Sequence, residues 1–108
     1  MGITKTETYT DQTLMLASLF KALGHPARLA ILQFISKQSS CICGDIVSEL
    51  PLSQASISRH LQELKTVGLI KGEISGTSVC YCLNNDHIPD TIQFLLQFQT
   101  PNNPTCCP

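Results

Sequence analysis

Pro51-Leu52-Ser53 is the tightest constraint on what this chain can fold into, because it ends one short amphipathic helix and starts another. The upstream helix is predicted from about Cys43 to Leu50, with Ile46, Val47 and Leu50 turned inward. Proline ends such a run, and Ser53 supplies a side-chain oxygen for the next N-terminus. In the downstream helix Ile57, Leu61 and Leu64 recur on one stripe, while Ser56, Arg59, Gln62, Glu63 and Thr66 point away from it. Burying each of those three side chains fully is worth roughly 1.5–3 kcal/mol. Gly68 ends the helix.

The flanking segments complete a plan around this pair. From Asp11 to Leu23 the apolar positions Leu16, Leu19, Phe20 and Leu23 keep helical spacing, and Gly24 is a stop. Pro26 sits well at a first helical position, and Ala27 to Ile35 is apolar nearly all round, which predicts a central buried helix. Leu69 to Ile74 and Ser78 to Leu83, joined through Ser75-Gly76-Thr77, read as a hairpin. Val79, Tyr81 and Leu83 alternate there with Cys80 and Cys82, so the two sets face opposite sides, the cysteines outward. A last apolar helix, about Ile88 to Phe98, needs a partner surface. The fold class is therefore mainly α with a small β-hairpin, a winged helix-turn-helix of order α-α-α-α-β-β-α. Residues 1–10 are expected to be a flexible arm, 11–99 the DNA-binding and dimerisation domain, and 100–108 a flexible cysteine-containing tail.

With 108 residues, 43% hydrophobic and 14% charged, one folded domain is expected. The formal net charge of −1 excludes a globally basic nucleic-acid binder, so any DNA surface must be local and doubled by dimerisation. No basic leader precedes an apolar stretch and no run approaches a membrane span, which predicts a cytoplasmic protein with no membrane partner. In a reducing compartment six cysteines point to metal or redox chemistry rather than structural disulfides. There is no phosphate loop or nucleophile elbow, and the three histidines have no catalytic setting, so an enzyme is not expected.

Leu19 to Leu32 (LFKALGHPARLAIL) resembles the opening motif of the ArsR/SmtB family of metal-responsive repressors, and Ser53 to Ile70 (SQASISRHLQELKTVGLI) resembles its recognition helix. Cys41 to Val47 (CICGDIV) is similar to the cysteine box of the arsenic- and cadmium-sensing branches, and Gly76 to Leu83 takes the place of the wing's second strand. The resemblance spans about residues 14 to 96. It implies a homodimer, paired through the first and last helices, that leaves double-stranded operator DNA when an effector binds. No cofactor is required for the DNA-bound state.

The implied DNA-reading residues are Ser53, Gln54, Ser56, Ser58 and Arg59 on the helix, with Lys71, Gly76 and Thr77 on the wing. Residues at the N-terminal end of such a helix reach base edges. By periodicity alone the same residues are the solvated face of an ordinary amphipathic helix. His60, beside the buried stripe, reads as a satisfied core histidine rather than a base reader. Three basic and two acidic residues between Ser53 and Cys82 predict modest affinity with a shallow salt slope.

Cys41 and Cys43 at a helix N-terminus would carry lowered thiol pKa values and suit As(III), Sb(III) or another soft metal ion. Where arsenic sensors take a third sulfur from the same helix, this chain has Val47, which leaves Cys106 and Cys107 of the tail as further metal donors. Cys80 and Cys82 read as an accessory site, a redox pair or tolerated substitutions, the last being favoured. Asp86, His87 and Asp90 do not complete the zinc site that other family members carry at the last helix. The alternatives are a Cd/Pb-responsive or thiol-redox-responsive repressor of the same fold, or a small metal-binding interaction protein.

Overall fold

The computed structural model describes residues 8–38, 40–43, 50–76 and 78–100. Helix α1 spans Asp11–Leu23, its N-terminus capped by Thr10, whose side chain accepts from the Thr13 amide at 3.1 Å. Helix α2, Pro26–Ser36, begins at the expected proline, and its cap is His25, whose Nδ1 accepts from the Ala27 amide at 3.0 Å. Helix α3, Gln54–Thr66, starts at Ser53, which accepts from the Ser56 amide at 3.2 Å. Helix α4 spans Ile88–Leu96, slightly shorter than its apolar pattern suggested. No helix among the described residues is long and apolar enough to cross a membrane.

The strands are β1 (Ile42–Cys43), β2 (Ile70–Ser75) and β3 (Ser78–Leu83), in one antiparallel sheet of order β1-β3-β2. The expected hairpin pairs Ile70 with Leu83 through Ser75 with Ser78, and Gly76 turns it at φ +64°, a conformation suited to a residue without Cβ. Strand β1 was not expected. It corrects the ends of the helix drawn from about Cys43 to Leu50, because Cys43 is extended and pairs with Cys80, while Leu50 is not helical. A C-I-C triplet suits a short strand as well as a helix start, and the free edge of β3 supplies the hydrogen bonds that decide between them. The body of that predicted helix, 44–49, lies outside the described residues.

Leu19, Ile31, Ile35, Ile57, Leu61, Leu64, Leu69 and Ile70 form the core, with Tyr81 and Ile88 packed against it. The stripe expected on α3 is therefore the buried one. Helix α2 departs from expectation: Ile31 and Ile35 are buried, but Leu29 is 47% exposed, so only one face is covered within the single chain.

The C-terminus of α3 is a Schellman motif: the Leu69 amide donates to the Leu64 carbonyl at 3.0 Å and the Gly68 amide to Lys65 at 3.1 Å. Gly68 stands at φ +81°, and a Cβ there would come within 2.8 Å of His87 Cδ2. Gly68→Ala should therefore lose at least about 1–2 kcal/mol from the left-handed conformation alone, read as a lower urea midpoint. Gly76→Ala, with open space around it, isolates the backbone term from the clash.

Candidate nucleic-acid interface and cysteine cluster

Helix α3 presents Gln54, Ser58 and Arg59 to solvent, next to the capping Ser53, all at its N-terminal end. Ser56 is only partly exposed, and its hydroxyl accepts from Ser53 Oγ at 3.0 Å, so its first role is to stiffen the cap. Lys71 is exposed on β2, and Gly76 marks the exposed tip of the hairpin; Thr77 lies outside the described residues. The arrangement puts a row of short and flexible hydrogen-bonding groups on a helix end whose free amides favour phosphate, with a wing beside it.

What aims this helix is a cluster that the sequence reading did not assign. Arg28 on α2 donates through Nε to His60 Nδ1 at 3.2 Å and through Nη1 to the Ala22 carbonyl at 3.2 Å. One guanidinium thus ties the end of α1 to the middle of α3. The rings of His25 and His60 lie 4.5 Å apart, so the α2 cap abuts the same point. His60 is a bonded, partly buried histidine, as expected. The signal for Arg28 was its place in the H-P-A-R-L run, but its partners are 6 and 32 residues away.

Burial holds the His60 pKa below its ordinary 6.5, and the neighbouring His25, Arg28 and Arg59 lower it further against an opposing pull from Glu63. A histidine whose folded pKa is depressed contributes full stability above its unfolded pKa and loses it as the proton is forced on. Thermal stability should therefore be flat above about pH 6.5 and fall below it. His60→Gln should flatten that acid limb in melts recorded from pH 7.5 to 5.

The cysteines are arranged differently from expectation. Cys41 stands just before β1 and Cys43 within it, so neither residue is part of a helix. Cys41 is disulfide-bonded to Cys82 on β3, with their Cα atoms 4.6 Å apart, and two positions along, past Ile42 with Tyr81, Cys43 pairs with Cys80. The two C-x-C motifs are thus adjacent strands of one sheet. Cys80, expected to face outward, is 6% exposed, on the central strand of the order β1-β3-β2. Treating Cys80 and Cys82 as tolerated substitutions missed this; the signal was the repeat of the same spacing at 41/43 and 80/82. Cys106 and Cys107 lie outside the described residues. Among the described residues, no group of three or more His, Cys, Asp or Glu side chains is placed to hold a metal ion.

The fold has known relatives. The profile described as bacterial regulatory protein, arsR family, matches residues 25–71, from the His25 cap to Lys71. An uncharacterized HTH-type transcriptional regulator of Methanocaldococcus jannaschii is 38% identical over 80 residues, covering 73% of this chain and 89% of that protein. The arsenical resistance operon repressor of Staphylococcus aureus is 30% identical over 92 residues, covering 85% and 88%. The solved ArsR-like transcriptional regulator from Rhodococcus sp. RHA1 superposes with a TM-score of 0.72 at 25% identity, covering 82% of each chain. The chain belongs to the ArsR/SmtB family of winged helix-turn-helix transcriptional regulators, a family of DNA-binding proteins and not of enzymes.

Proposed function

We propose that the protein is a cytoplasmic, homodimeric repressor that leaves its operator when As(III) or Sb(III) binds cysteine thiolates. The observation that carries this reading is the exposed N-terminal face of α3, with Gln54, Ser58 and Arg59 free to enter a groove and Ser53 holding the helix end. Two such helices in a two-fold dimer suit half-sites one DNA turn apart. The dimer surface is α1 with α4, where Ile92, Leu95, Leu96 and Phe98 are each about half exposed or more. Apolar area of that extent calls for cover, and pairing with a second copy supplies it. The inducer class is supported by the C-I-C box and by the name of the Staphylococcus aureus relative. If the effector-bound and operator-bound geometries differ, the two affinities are coupled, typically by about 1–3 kcal/mol.

The Cys41–Cys82 disulfide favours a second reading, release by thiol oxidation on the same fold. One titration separates the two. Reduced protein on operator DNA should release it on adding arsenite or antimonite, with light scattering at twice the mass of one chain. Release by peroxide alone, with none by arsenite, would replace the first reading by the second.

A further inference from the structure

We propose that the reduced Cys41–Cys82 pair, joining β1 to the wing, is the dithiol that takes the trivalent arsenical. This rests on the reading above and assigns its ligands. The C-x-C motif alone is a poor chelate in this fold, because residues i and i+2 of an extended strand stand about 6.6 Å apart along it. Across the ladder the Cα atoms of Cys41 and Cys82 are 4.6 Å apart and their sulfurs reach each other. Two sulfurs that can share a bond can also meet on one arsenic atom. The pair is accessible as well: Cys41 is exposed, and both cysteines line a cavity of about 220 Å³ bordered by Ile35, Gln38, Ser40 and Leu83.

The chemistry balances without an electron transfer on arsenic. Starting from the dithiol, two S–H bonds and two As–OH bonds break, two As–S bonds form, and two waters leave. Arsenic keeps its third hydroxyl. Opening the disulfide beforehand takes two electrons and two protons from two molecules of a low-molecular-weight thiol, which leave joined as one disulfide. The bound ion would tie the segment ahead of β1 to the strand that carries the wing. Just after β3 the Asn84 amide donates to the Leu69 carbonyl at 2.9 Å, beside the turn that ends the recognition helix, which would give a change at Cys82 a route toward that helix.

The test uses the full chain reduced with a phosphine and phenylarsine oxide, a trivalent arsenical that accepts two thiolates. After uptake, alkylation and peptide mass mapping should find Cys41 and Cys82 protected together. Cys41→Ser and Cys82→Ser should each weaken uptake at this site at least tenfold, the double variant no further, and Cys82→Ala should agree with Cys82→Ser. Protection of Cys41 with Cys43, or of Cys106 with Cys107, while Cys82 is alkylated would overturn the assignment. So would normal arsenite release of operator by Cys82→Ser, which leaves the repressor reading intact. Protection of Cys41 and Cys82 without any release of operator would instead keep the site and remove that reading.

Discussion

Arg59→Ala should weaken operator binding by one to several orders of magnitude while leaving the fold unchanged. Arg59 is exposed on the first half of α3 and is not a core residue, so its removal leaves the buried stripe intact. A bidentate guanidinium–base contact is worth roughly 1–3 kcal/mol, and the proposed two-fold dimer would present it twice. A total of about 2–6 kcal/mol corresponds to roughly 30-fold to more than 10⁴-fold in affinity. A mobility-shift titration at one fixed salt concentration measures it, with circular dichroism to verify the fold. Binding within a factor of two of the wild type would remove Arg59 from the interface. Arg59→Lys distinguishes the two roles available to it: lysine keeps a phosphate contact but not the planar fork that reads guanine.

Leu64→Ala should be the most destabilising single truncation on the same helix, by about 2–5 kcal/mol. Leu64 is fully buried, and its carbonyl also closes the Schellman turn, so the lost side chain leaves a cavity at the joint between α3 and the sheet. For a domain of this size, 1 kcal/mol moves the melting temperature by roughly 4–8 °C, so the loss is large against a typical total of about 5–15 kcal/mol. Leu29→Ala, at an exposed position of α2, is the control and should change the monomer's stability little. A Leu64→Ala melt within 3 °C of the wild type would mean that the site collapses around the smaller side chain.

The helices α1, α2 and α3 and the hairpin were legible because each rests on a local rule. Thr10 and Ser53 accept from the amides of Thr13 and Ser56, Pro26 fills a first turn, Gly68 and Gly76 take positive φ, and the Ile57-Leu61-Leu64 stripe repeats with the helical period. The polar face of α3 follows from that same period, since Gln54, Ser58, Arg59, Gln62 and Glu63, all off the stripe, are exposed.

The sequence by itself therefore determined the winged helix-turn-helix plan, the buried stripe of α3 and the polar face opposite it. It also contained the family motif from His25 to Lys71. Tertiary structure decided the rest: that Cys43 is a strand residue, that Arg28 reaches His60, and that Cys41 meets Cys82 across 41 positions of chain. The physical reason is range. Caps, turns and periodicity are settled within a few residues, whereas the partner of a short strand or a thiol depends on which edge the folded core leaves open.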